Sequence, residues 1–215
     1  MPTEKTVLLY TYEELSDKAK EKAREWFSEG IGQIFSDYVD YDDFLSICER
    51  MGVTVAMNHR GKRPVPEIEW TGFWSQGDGA SFKGSFSATD FKAAEDIRTY
   101  VPTDERLHAI YDGIAAIVAD YGELTAAIVK PYGNRYSHEC TMYLDEVQNG
   151  EDADGEPGEV PETVETALRD LMRGLAQWLY RYLETEYEYQ TSAEQAEERI
   201  LANEYTFLAD GTRED

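Results

Sequence analysis

The sequence predicts an α+β fold: one domain spanning residues 1–215, in which antiparallel β hairpins pack with about six helices. Three observations carry that expectation. Segments with apolar residues three and four apart follow capping signals, shorter runs rich in β-branched and aromatic residues lie between them, and glycine-bearing tetrads separate those runs. Apolar residues make up 41% of the chain and aromatics 13%, enough for a core. A length of 215 residues fits one domain or two small ones.

Val7 to Tyr10 reads as a short strand. Thr11 and Glu14 have capping-box spacing, and Ser16-Asp17 is a second helix start. Leu15, Ala19, Ala23, Trp26 and Phe27 recur at helical spacing, and Gly30 is the expected terminator. A second helix is expected over 37–51, burying Tyr38, Tyr41, Leu45, Cys48 and Met51. Val53 to Met57 reads as a strand, followed by a loop with a basic clump at Arg60, Lys62 and Arg63. Residues 68–75 and 80–87 should pair about Gln76-Gly77-Asp78-Gly79. Thr89 or Asp90 is expected to cap a short helix ending before Pro102. Thr103-Asp104 opens another, whose stripe is Leu107, Ile110, Ile114, Ile117 and Val118. Residues 124–130 and 136–147 form a second expected hairpin about Pro131 to Asn134. Residues 149–162 hold six acids and no base and read as a flexible acidic loop. Pro161 opens a long helix with Val164, Leu168, Leu171, Leu175, Trp178, Leu179 and Tyr182 inward. Thr191 or Ser192 caps a last helix, and Tyr205 to Leu208 closes with a strand.

Charge decides which functions are excluded. The chain carries 44 acidic against 20 basic residues, a net charge of −24. Nucleic-acid binding depends on Lys and Arg neutralising phosphates, so direct binding to DNA or RNA is not expected. Anionic membranes are disfavoured on the same ground, and no apolar run reaches the roughly 18 residues of a membrane span. A protein with a basic surface would be attracted. Acids outnumber bases 18 to 5 over residues 151–215. The two cysteines, Cys48 and Cys140, make neither a disulfide framework nor a cysteine zinc site, which fits a reducing cytoplasm.

Two stretches are unusual. Trp70 to Phe82 (WTGFWSQGDGASF) sets aromatics about a turn, with Trp74, Gln76 and Asp78 as candidate binding residues. Strand alternation would place Trp70, Gly72 and Trp74 on one face and Thr71, Phe73 and Ser75 on the other. Arg135 to Thr141 (RYSHECT) contains His138, which could titrate near neutrality, beside Glu139. As neighbours on a strand the two would point apart and could not form a dyad. No metal site is expected: His59, His108 and His138 are scattered, and the acidic loop fails the calcium-loop template. Phosphate-binding and nucleophile-elbow motifs are absent too, so neither a cofactor nor catalysis is expected.

Residues 11–27 (TYEELSDKAKEKAREWF) resemble the opening of a phage-encoded protein family whose members begin with an "ELSDEAKEKAREW" type of segment. Residues 72–82, 136–142 (YSHECTM) and 200–211 (ILANEYTFLADG) resemble its later blocks. Some members carry an antitoxin label, and the resemblance implies a phage or prophage setting in the host cytoplasm. With the charge, it leads to an expected function as an inhibitor that occupies the nucleic-acid-binding surface of a host defence or toxin protein. The expected contacts are Glu184, Glu186 and Glu188, with Glu194, Glu197 and Glu198 on the next helix. The alternatives are an enzyme or ligand-binding protein using a pocket near the aromatic hairpin, and an accessory phage protein whose acidity is incidental.

Overall fold

The computed structural model describes residues 6–59, 64–93, 97–130, 136–151 and 154–213. Arg60, Lys62, Arg63, the 131–134 connection and Arg135 lie outside the described residues. The chain falls into two compact units: residues 40–182, and residues 1–39 together with 183–215.

The larger unit is built on a four-stranded antiparallel sheet of order β2-β7-β8-β9, with strands Met51–Val55, Gly84–Phe91, Leu124–Val129 and Tyr143–Asn149. Alternate residues face the core: Val53 and Val55, Phe86 and Ala88, and Leu124, Ala126 and Ile128 are all buried. Helices α2 (Asp42–Arg50), α4 (Glu105–Asp120) and the larger unit's part of α5 (Glu162–Gln190) supply the remaining core. Buried members are Phe44, Ile47 and Cys48, then Leu107, Ile110 and Ile114, then Leu168, Met172, Leu175 and Leu179. Their three- and four-residue spacing is the amphipathic stripe of a helix. Helices α4 and α5 approach closely at glycine: a Cβ added to Gly113 would lie 2.7 Å from Leu171 Cδ2. Two small ladders pair β3 (Met57–Asn58) with β4 (Val65–Pro66) and β5 (Ile68–Trp70) with β6 (Ala80–Phe82). A short helix, α3, covers Ile97–Tyr100.

In the smaller unit, β1 (Tyr10–Thr11) pairs antiparallel with β10 (Thr206–Phe207). Helices α1 (Asp17–Tyr38) and α6 (Ala193–Ala202) pack beside that ladder. Their core joins Tyr12, Leu15, Ala19, Ala23 and Phe27 to Ala196, Ile200 and Phe207. Thr11 and Glu14 form the capping box, but on a 3-10 turn (Tyr12–Glu14), with Thr11 N donating to Glu14 Oε2 at 2.9 Å. Ser16 then caps α1 by accepting from Ala19 N at 3.4 Å.

Several expectations need correction. Helix α1 runs through Gly30, because Ile31 and Phe35 continue the stripe begun by Phe27, and Phe35 packs its edge on Tyr187 at 5.3 Å. That contact outweighs the roughly 1 kcal/mol that an interior glycine costs relative to alanine. The helix expected over 37–51 is shorter, and Tyr38 is 77% exposed. No helix begins at Thr89 or Asp90, since β7 continues through both to Phe91 by pairing with β2. The strands expected over 68–75 and 136–147 keep only Ile68–Trp70 and Tyr143 onward. Around the acidic loop, Asn149 N donates to Gly158 O and Gly158 N to Gly150 O, both at 3.0 Å.

Candidate functional site

Between β5 and β6 the chain leaves the ladder at Thr71 and returns at Gly79, whose N–H donates to Thr71 Oγ1 at 3.3 Å. Asp78 organises the loop: Oδ2 accepts from Trp74 N at 3.1 Å and Ser75 N at 2.7 Å. Gly77 has φ +93°, a conformation open to glycine and costly for other residues. This local wrap removes the strand alternation expected beyond Trp70. Trp70 and Phe73, assigned to opposite faces, stack on each other with centroids 5.3 Å apart. Phe73 is buried and packs on Tyr180, whose hydroxyl donates to Gly72 O at 3.1 Å. Trp74 points outward, 73% exposed, and Gln76 is exposed as well.

The two unusual stretches of sequence meet here. A Cβ on Gly79 would lie 2.9 Å from His138 Cδ2, and one on Gly77 would lie 3.3 Å from Tyr136 Cδ1. His138 does not sit in a strand: it caps a 3-10 turn, Glu139–Thr141, through Nδ1 accepting from Cys140 N at 3.1 Å. The turn curls the chain so that neighbouring side chains converge, and Glu139 Oε2 lies 3.0 Å from His138 Nδ1. The expectation that they point apart is therefore wrong, because it presumed an extended backbone. Glu139 is buried, and its other oxygen, Oε1, accepts from Gln177 Nε2 at 2.6 Å. Arg106 Nη2 in turn donates to Gln177 Oε1. Arg173 anchors the turn by donating to Cys140 O at 3.2 Å and Met142 O at 2.8 Å. Cys140 is an exposed free thiol.

Lys130 was missed by the sequence reading. Its ammonium is buried and donates to Glu69 Oε2 and to Ser137 Oγ, the latter at 3.4 Å. The Lys130 hydrogen bond holds the Glu69 carboxyl below the usual glutamate range, although partial burial opposes it. A signal was available: Lys130 continues the parity of Leu124, Ala126 and Ile128, all on the buried face of β8. Nothing in the sequence pointed to Gln177 or Arg106.

The other predicted residues lie in the smaller unit. Glu184 and Glu186 are half-buried on α5, and Glu188 is exposed. Glu194, Glu197 and Glu198 are exposed on α6. Glu197 is engaged internally: Oε2 accepts from Tyr12 Oη at 3.1 Å and lies 3.3 Å from Arg24 Nη1. Glu186 Oε1 accepts from Gln190 Nε2 at 2.5 Å. Open depressions lie away from the aromatic loop. One is on the sheet around Ser85, Thr125 and Gln148, and another is in the smaller unit around Ser16, Lys22 and Asp210.

No curated protein and no solved structure matches the chain. A family model does match, over residues 35–193, a span that contains the whole larger unit with its aromatic loop and His138 turn. By that match, the chain belongs to the family described as a domain of unknown function (DUF8835).

Proposed function

We propose that the protein is a phage-encoded acidic inhibitor that binds a host defence or toxin protein by occupying its nucleic-acid-binding surface. The observation that carries this reading is the run of carboxylates at the C-terminal end of α5, where the helix does not favour them. Helix α5 ends with Glu184, Glu186 and Glu188 and has no basic residue in its last turn. The carbonyl end of a helix is the negative pole of its dipole, where acids are unfavourable and cations favourable. Glu184 and Glu188 form a like-charged pair four residues apart, as do Glu194 and Glu198 on α6. Each such pair costs about 0.2–0.5 kcal/mol. Glu194 is favoured in the first turn of α6, and Glu198 accepts from Gln195 Nε2 at 3.0 Å. It is therefore at the end of α5 that acids stand against the local rule, which points to a use outside the fold. The smaller unit carries 18 acids and 7 bases in 72 residues, so a basic partner would be steered to it.

Glu197 belongs to the unit's own hydrogen bonding and is left out of the binding set. The test reverses Glu184, Glu188, Glu194 and Glu198 to Lys together and compares capture from host-cell extract with the unchanged chain. The reading expects a nucleic-acid-binding protein retained by the unchanged chain, released by salt and by duplex DNA, and lost on charge reversal. Retention that ignores salt, or that survives the reversal in a folded variant, would overturn it.

A further inference from the structure

We infer that His138, Glu139 and Cys140 form a binding site for a divalent transition metal ion of the zinc type. This site lies in the larger unit and uses none of the glutamates of the proposed acidic face. One ring nitrogen of His138, a carboxylate oxygen of Glu139 and Cys140 Sγ all lie within 4.8 Å of one another. Three residues in a row can converge in this way because the chain turns in a 3-10 conformation, with the histidine as its cap.

The geometry around Nδ1 asks for a cation. Nδ1 accepts from the Cys140 N–H at 3.1 Å, which requires an unprotonated lone pair. The same nitrogen lies 3.0 Å from Glu139 Oε2. A lone pair and a carboxylate oxygen at that distance repel unless a positive charge sits with them. A metal ion would take the single Nδ1 lone pair in place of the Cys140 N–H, which lies at an exposed turn and can turn to water. It would be attracted by the Glu139 carboxylate and the Cys140 thiolate as well.

The donor set selects the ion. Imidazole, carboxylate and thiolate together suit Zn2+ or Co2+, whereas Ca2+ and Mg2+ prefer oxygen alone. Donor atoms around a tetrahedral zinc are roughly 3–4 Å apart, given metal–ligand distances of about 2.0–2.3 Å. Closing the cluster therefore needs only a small adjustment, which the exposed Cys140 side chain can make by rotation. Three protein ligands leave a coordination position for water. The surroundings are those of a supported ligand: Gln177 holds the second oxygen of Glu139, and Arg106 holds Gln177. Such outer partners orient a ligand and tune its affinity. On binding, Cys140 gives its thiol proton to the solvent and Sγ bonds the metal, so one proton is released per ion.

The test is a Co2+ titration of the full reduced chain, read by thiolate-to-cobalt charge-transfer absorption. Saturation is expected at one equivalent, with the band bleached by Zn2+ and unmoved by excess Ca2+ or Mg2+. Cys48 is fully buried and cannot supply the band. Cys140→Ser, at an exposed position that leaves the fold intact, should abolish it. Gln177→Ala should weaken Co2+ binding by about 10–100-fold while the band persists at saturation. The inference fails if the folded chain shows no thiolate band, if the band survives Cys140→Ser, or if Ca2+ competes on equal terms. Equal Ca2+ competition would mean that the ion is held only by the acidic surface.

Discussion

Asp78 accepts two backbone N–H groups of its own loop, from Trp74 and Ser75, so its carboxylate builds the turn that presents the exposed indole. Asp78→Ala should therefore lower stability by about 1 kcal/mol, the net worth of such a bond in a partly exposed setting. In a chain of this size that is a melting-temperature drop of about 2–4 °C. Gln76→Ala, at an exposed position with no such duty, should stay within about 0.5 kcal/mol. Equal melting temperatures for the two variants would show that the turn is held by its glycines alone. Glu69 makes a second prediction at this scale, because its partner Lys130 is buried while Glu69 itself is about half exposed. Its folded-state pKa is lowered, chiefly by the Lys130 hydrogen bond, from an ordinary value of 4.5. A depressed carboxylate contributes stability that is present above its unfolded pKa and lost as the pH falls through the folded one. The Glu69→Gln variant should lose about 1–2 kcal/mol at pH 7, and the gap should close below pH 4.5. A gap that stays constant to pH 3 would contradict the pairing.

At the scale of elements, α6 ends in a Schellman arrangement: Glu204 N donates to Leu201 O at 3.1 Å and Tyr205 N to Ile200 O at 3.2 Å. The left-handed position, with φ +53°, is held by Glu204, where glycine is the usual occupant. The strain persists because Tyr205 is drawn into the aromatic cluster beside Trp26 and Ile200. Glu204→Gly should raise stability by about 1 kcal/mol, the cost that a side chain bears there. A decrease in melting temperature would mean that the glutamate has a partner more valuable than the strain. Helix α4 starts on Asp104, which accepts from Leu107 N at 2.9 Å through Oδ1 and from Trp178 Nε1 at 2.6 Å through Oδ2. One carboxylate thus caps one helix and fixes another, and Trp178 is further stacked between Phe44 and Tyr182. Asp104→Ala should cost roughly 2 kcal/mol, a cap and a charge-assisted bond together. Asp104→Asn keeps one acceptor oxygen but sets an amide NH2 against the other donor, so it should recover no more than about half of that in denaturant melts.

Across the whole molecule, a net charge of −24 works against compaction. Screening shortens the reach of that repulsion to about 10 Å at 0.1 M salt. Raising salt from 10 to 200 mM should therefore raise the melting temperature, although it weakens exposed pairs such as Lys22–Asp210 and Lys92–Glu49. Such pairs are worth about 0–1 kcal/mol each, too little to reverse the trend. A melting temperature that fell with salt would show that ion pairs, not repulsion, dominate the surface.

The sequence alone determined the class of fold, the β5–β6 and β8–β9 neighbours, the start of α4 at Asp104 and the amphipathic stripes of α1, α4 and α5. Those features depend on local periodicity and on caps within three or four residues, and both can be read along the chain. It also singled out the aromatic loop and the His138 segment, since their composition is unusual wherever they fold. Only the tertiary structure decided that these two segments meet, because their contact spans about sixty residues and turns on Gly77 and Gly79 admitting Tyr136 and His138. It also decided that His138 and Glu139 converge, which depends on a 3-10 turn that no periodicity announces. The division into two units was equally hidden. One boundary, at Val39, falls inside what reads as a helix start, and the other, at Tyr182, lies within the unbroken pattern of α5. A helix's sequence records which face is apolar, not which partner covers each part of it; that is set by packing from residues far away in the chain.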